Sequence, residues 1–228
     1  MTRHPAIGAA ALATVLALTA CDANSPDDDA GRSTTGTQRG GTLTILTSAT
    51  EVNFDPAKSQ NLAITTLGLV LRRLTTWDVQ PGQPARVVPD LATDTGTPSD
   101  GGRTWTFRLK EGLFYADGSP ITSADIKYGV ERSFAPELSG GLGYHKSLLA
   151  GAERYKGPYG GESLASIETP DERTIVFRLK VPYGDWPWIV SMPAFAPVPK
   201  AHDDPATYSR DPVASGPYQV ESYQQGAS

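Results

Sequence analysis

Apolar and polar residues alternate from Thr104 to Leu109, with Trp105, Phe107 and Leu109 on one side and Thr104, Thr106 and Arg108 on the other. This period of two predicts a half-buried strand. The order Arg-Thr-Trp-Thr-Phe-Arg-Leu-Lys from Arg103 to Lys110 is echoed by Arg-Thr-Ile-Val-Phe-Arg-Leu-Lys from Arg173 to Lys180. Two isolated copies predict two strands with similar surroundings in one sheet; duplication is possible but not needed, and the spacing is too wide for a solenoid. Between them, Asp117 and Gly118 form a turn dipeptide in which glycine accepts positive φ. Thr122, Ser123, Ala124 and Asp125 then read as a capping box, which predicts a helix beginning near Ser123. Ile126, Val130 and Phe134 fall on one apolar stripe of that helix, leaving Lys127, Glu131 and Arg132 to water.

The remaining pattern predicts strands near Thr42 to Thr47 and Pro217 to Tyr223, with helices near Leu62 to Leu74 and Lys146 to Tyr155. With the strands Thr104 to Leu109 and Thr174 to Leu179, this mixture reads as α/β or α+β. Nineteen prolines and 23 glycines imply many turns.

The first 20 residues follow a different pattern: Arg3 makes a basic start, and Ala6 to Leu18 is apolar apart from Thr14. The run is short for a membrane span of about 20 residues, so residues 1–20 read as an exported leader of the lipoprotein type. Cys21 follows the small residues Thr19 and Ala20, and is the sole cysteine. It cannot form an internal disulfide; a buried thiol or a nucleophile is the usual reading of a lone cysteine, but its position points to lipidation at a new amino terminus. Acyl chains there anchor an otherwise soluble protein to the outer face of a membrane.

Residues 21–40 carry no hydrophobic periodicity and are rich in Asp, Ser, Thr and Gly, the composition of a flexible tether. A chain of this length spans roughly 25 Å as a random coil. Asp27, Asp28 and Asp29 could suggest a cation site, but the alternating ligands and closing Glu of a calcium loop are missing, so a solvated linker is the simpler reading.

Twenty Lys plus Arg against 25 Asp plus Glu give a net charge of −5. No basic stripe with aromatic partners is present, which argues against nucleic acid as a partner. The chain has no Gly-x-Ser-x-Gly elbow, phosphate loop or His-Glu-x-x-His motif, so no enzyme, cofactor or metal is expected. His145 and His202 read as surface or supporting residues.

The ordered block from Gly102 to Val130, preceded by Pro89, Asp90, Leu91 and Ala92, resembles the signature of the peptide-binding family of extracytoplasmic solute-binding proteins, the oligopeptide, dipeptide and nickel receptors of ABC importers. The resemblance extends from Gly40 onward, through Gly41 to Ile45 as first strand, Asn53 to Pro56 as the following turn, and Pro212 to Tyr218. Ser215 and Ala214 stand where Thr and Gly are frequent in the family, without altering the expected bend at Gly216 and Pro217.

The resemblance implies a lobe of the periplasmic-binding-protein type II fold over residues 41–228. It implies a ligand held between two lobes that close like a hinge, through main-chain hydrogen bonds and roomy side-chain pockets. Oligopeptides are the implied cargo, with a nickel chelate, a sugar or an opine-like solute as alternatives. A membrane permease and its ATPase subunits are the implied partners; a non-transport envelope sensor or scaffold is the rival class.

Carried onto this chain, Thr50, Glu51, Val52 and Asn53 are the stretch expected to face the cleft. Glu51 could pair with a ligand amine or be an ordinary exposed carboxylate, and Tyr144 and Trp186 could form a pocket wall or simply pack. Gly216 to Ser228 ends where a relative enters a further strand. The expectation is therefore a first lobe alone, as a fragment of a receptor or as a truncated product with exposed, aggregation-prone interior edges.

Overall fold

Trp105 and Phe107 do share one face of a strand, and the echoing segment lies directly beside it. The computed structural model describes residue 44, residues 52–60 and residues 67–224. The chain divides into Met1–Leu43 and Thr44–Ser228; the first unit lies outside the described residues.

In chain order the elements are α1 (Leu67–Val70), β1 (Thr75–Asp78), β2 (Arg86–Pro89), β3 (Thr97–Ser99), β4 (Thr104–Arg108), α2 (Ser123–Arg132), α3 (Tyr144–Leu148), β5 (Ile167–Asp171), β6 (Thr174–Arg178) and α4 (Trp186–Ile189), with short 3-10 turns between several of them. β1 and β2 form an antiparallel pair, and β3, β4, β6 and β5 form a four-stranded antiparallel sheet in that order. The two echoing segments are the central strands β4 and β6, with Trp105 opposite Phe177 and Phe107 opposite Ile175. The outer strands are irregular: β3 has three residues including Pro98, and β5 slips register between Glu168 and Asp171.

The buried face of this sheet carries Trp105, Phe107, Ile175 and Phe177, packed with Ile126 and Val130 of α2 and with Trp186, Ile189 and Phe195. Phe177, Trp186 and Phe195 meet at centroid distances of 5.4 to 5.8 Å. Each such ring removed from water contributes about 1.5 to 3 kcal/mol. α2 begins where the capping box places it, with the Thr122 N–H and hydroxyl both donating to Asp125 Oδ2 at 2.8 and 2.9 Å. Gly129 lets this helix approach the chain closely, since a Cβ there would stand 2.2 Å from the Ala196 carbonyl oxygen. Gly118 has φ of 86° in the expected turn, with the Ser119 N–H donating to Asp117 Oδ1.

Three expected elements differ. The strand expected over residues 42–47 lies outside the described residues apart from Thr44, but the helix expected from Leu62 to Leu74 ends at Val70. Distant partners take the backbone groups that would have extended it. Ser215 Oγ accepts the Arg72 N–H at 2.9 Å, Asp90 Oδ2 accepts the Arg73 N–H at 3.0 Å, and the Val70 carbonyl receives the Ser215 and Gly216 N–H groups.

The helix expected from Lys146 to Tyr155 is α3, which starts at Tyr144 and stops at Leu148. Leu149 pairs with Leu179 and the Ala150 N–H donates to Arg178, so the chain runs extended along the end of β6; Gly151 then turns it at φ of 69°. Residues 217–223 form no strand: Pro217 lacks an N–H, and the Tyr218 N–H is taken by the Leu69 carbonyl. The bend at Gly216 and Pro217 is present.

Candidate functional site

The turn after Asn53 is held by a buried charge cluster. Arg132, at the last position of α2, grips Asp55 with both terminal nitrogens, Nη1 to Oδ1 at 2.9 Å and Nη2 to Oδ2 at 3.1 Å. Its Nη2 also lies 2.7 Å from Asp203 Oδ1, an ion-pair contact although the angle is poor for a hydrogen bond. None of the three side chains is exposed. The Tyr208 ring covers the guanidinium at 4.8 Å, while the Tyr128 and Tyr159 hydroxyls each donate to Asp203 Oδ2 at 2.8 Å. Burial pulls the Arg132 pKa down, but Asp55 and Asp203 outweigh it and hold the group above its ordinary value. Burial, reinforced by Asp203, raises the Tyr128 phenol, which stays a donor.

This cluster corrects the reading of α2. Arg132 is fully buried, and Glu131 is buried too, accepting the Leu164 N–H at 2.7 Å and the Ser163 hydroxyl at 2.9 Å. Only Lys127, half-buried and 3.8 Å from Glu131, keeps part of the expected solvent contact. His145 is likewise buried, between Phe134 and Phe195, whereas His202 is exposed.

Thr50 and Glu51 lie outside the described residues, as does Cys21. Val52 is half-buried against the cluster of Phe54, Leu67 and Leu71, and Asn53 is exposed, its Oδ1 accepting the Asp55 N–H at 2.9 Å. Tyr144 is 58% exposed at the start of α3. The loop before it meets the turn after Asn53: a Cβ at Gly141 would stand 2.1 Å from the Ala57 carbonyl oxygen, and Gln60 donates to the Gly140 carbonyl. Trp186 stands apart from these residues, fully buried between Phe177 and Phe195, with no surface to offer a pocket.

α1 borders a concavity of about 390 Å³. Gly68, Leu69, Arg73, Thr76, Trp77 and Ser191 are among the residues that line it. The Trp77 ring is 41% exposed, yet fixed by an Nε1–H donated to Ser191 Oγ at 2.7 Å and by an edge contact with Trp188. Burial lowers the Arg73 pKa, with Asp90 opposing. A second, more open concavity of about 510 Å³ lies between Arg72, Phe114, Ile121 and Gly216. Pockets of this size, with apolar walls and few polar groups, suit small ligands. Sequence reasoning missed Arg73 and Trp77; the signal available was a pair of arginines enclosed by Leu71 and Leu74.

Comparison with known proteins identifies the fold. A model of the bacterial extracellular solute-binding proteins, family 5 (middle region), matches residues 86–228. The chain belongs to this family. Among solved structures, clavulanic acid biosynthesis oligopeptide binding protein 2 is 45% identical with a TM-score of 0.70, over 76% of this chain and 32% of that one. The dipeptide-binding protein DppE of Bacillus subtilis (strain 168) is 24% identical over 219 residues, 93% of this chain and 39% of its own length. The periplasmic murein peptide-binding protein MppA of Escherichia coli (strain K12) is 29% identical over 156 residues, 66% of this chain and 27% of its own length. The chain thus spans less than two fifths of the length of these relatives. The mixed sheet-and-helix lobe expected from the sequence is the fold these structures share with it.

Proposed function

We propose that this chain supplies the first lobe of an extracytoplasmic substrate-binding lipoprotein that captures oligopeptides and delivers them to an ABC permease driven by separate ATPase subunits. The observation that carries the reading is the match to an oligopeptide-binding protein at 45% identity, with a TM-score of 0.70. In this reading residues 1–20 are a cleaved leader, Cys21 bears the lipid, residues 21–40 are the tether and residues 41–228 are the first part of a longer two-lobe receptor. Thr50, Glu51, Val52 and Asn53 face the ligand, and the Asp55–Arg132 clamp fixes where that stretch leaves the lobe. Tyr144, exposed at the start of α3, is a contact at the margin. Binding shifts the lobes toward the closed state, which the permease recognises.

The test is a thermal-shift panel on the full-length receptor with di- to pentapeptides, nickel chelates, sugars and opine-like solutes. Peptides alone should raise the melting temperature; a rise with a metal chelate or a sugar and none with peptides overturns the peptide assignment. Intact mass of the protein extracted from its own membrane tests the anchor. Cys21→Ser should abolish the lipid increment and release the protein from the membrane.

A further inference from the structure

Among the described residues, Arg73 is a buried cation with no carboxylate hydrogen-bonded to its guanidinium. Its residue is 9% exposed, and among the described residues its guanidinium makes one long hydrogen bond, Nη2 to Thr76 Oγ1 at 3.3 Å. Its Nε is buried with no acceptor. The neighbouring carboxylate, Asp90, is committed elsewhere: Oδ1 accepts from Arg72 Nε at 2.8 Å and Oδ2 from the Arg73 backbone N–H at 3.0 Å. A guanidinium removed from water with donors unfilled is costly unless an anion completes it.

The space beside it is built to receive one. Arg73 lines the concavity of about 390 Å³, as does Gly68, which adds no side chain to it. Trp77, 41% exposed, and Val79, 54% exposed, supply an apolar wall. The two hydroxyls on the wall are already engaged, Ser191 with Trp77 and Trp188, and Thr76 with Arg73 itself. The unfilled chemistry is therefore cationic donor plus aromatic surface, which matches a carboxylate attached to an apolar body.

We propose that this concavity is a carboxylate subsite, in which the Arg73 guanidinium receives a carboxylate of the bound solute while Trp77 and Val79 cover the adjoining apolar part. The proposal rests on the peptide reading above, so the carboxylate is either the peptide's carboxyl terminus or an acidic side chain. A charged hydrogen bond of this kind is worth roughly a ten- to hundredfold in affinity.

Calorimetry on the full-length receptor separates the possibilities with three probes: a leucine-containing tripeptide acid, its carboxamide, and the carboxamide with a central Glu. Wild-type receptor should bind the acid, the Glu-bearing amide, or both, about tenfold or more tighter than the plain amide, and which of them it favours names the source. Arg73→Gln should erase that preference, bringing the acid and the Glu-bearing amide to the affinity of the plain amide. Arg73→Met, which removes the unpaired buried charge, should erase it too and raise the melting temperature of the unliganded receptor.

An acid preference that survives Arg73→Gln overturns the subsite and leaves the peptide reading standing. So does equal loss for all three probes in a variant with a wild-type melting temperature. A melting temperature lowered by Arg73→Met with the preference intact means that a carboxylate of the receptor itself pairs with Arg73, which also overturns the proposal. Failure of every peptide to bind wild-type receptor overturns both readings.

Discussion

Arg132 and Asp55 face each other in a two-bond pair, Nη1 to Oδ1 and Nη2 to Oδ2, with neither side chain exposed. The pair joins the end of α2 to the turn after Asn53, and Asp203 brings in the chain near residue 200. Removing one member leaves the others charged in a place without water. Arg132→Met should destabilise the full-length protein by about 3 to 5 kcal/mol in denaturant unfolding. Asp55→Asn combined with Arg132→Met should cost clearly less than the sum of the single changes. Additive costs would mean that the pair is not coupled.

Gly129 sits inside α2, where alanine ordinarily stabilises a helix by about 1 kcal/mol. Here the added Cβ would meet the Ala196 carbonyl oxygen at 2.2 Å, so Gly129→Ala should instead cost about 1 to 3 kcal/mol. Gly184→Ala is the control, because nothing lies within 4 Å of its Cβ; it should change stability by less than about 0.5 kcal/mol. Comparison of the two melting temperatures checks the contact.

His145 should make the protein less stable as pH falls. The Ser133 hydroxyl donates to the Val130 carbonyl, so His145 Nε2 donates to Ser133 Oγ at 2.8 Å and Nδ1 is left buried without a partner. Burial, with a smaller contribution from Lys146, pushes the His145 pKa down to about 3. In the unfolded chain the ring takes a proton near pH 6.5. Between those values the unfolded state binds the extra proton, so stability present above pH 6.5 is lost on acidification toward 3, at up to about 1.4 kcal/mol per pH unit. His145→Gln should flatten that slope between pH 6.5 and 4.5 in a series of urea titrations. An unchanged slope would assign the acid sensitivity to other groups.

Asp125 closes the start of α2 by accepting from both the Thr122 N–H and the Thr122 hydroxyl. Asp125→Ala should cost about 0.5 to 2 kcal/mol. Hydrogen exchange should show the loss first at the amides of Ser123 to Ile126, whereas uniform loss across the lobe would point to a wider role.

What could be read from the sequence was whatever depends on near neighbours. Trp105, Phe107, Ile175 and Phe177 announce their buried face by alternation, and their segments proved to be adjacent strands. Thr122 and Asp125 announce a helix start within four positions. The misread segments depend on distant residues. α1 stops because Ser215, far along the chain, takes the Arg72 N–H, and residues after Leu148 straighten because Leu179 offers an edge. Glu131 and Arg132 look solvent-facing on a helical wheel, since nothing local signals Leu164, Asp55 or Asp203 as partners. For the same reason the unfilled donors of Arg73 could not be seen among the charges of the sequence.

The irregular outer strands of the four-stranded sheet also limit how anything else can attach. Pro98 gives β3 a position with no N–H to share, and β5 breaks its ladder over the stretch that contains Pro170. Among the described residues, neither edge presents an unbroken row of backbone partners along its length. A strand added at either edge, from a neighbouring copy or from an extended peptide, would meet an interrupted row of backbone partners, which disfavours lengthening this sheet.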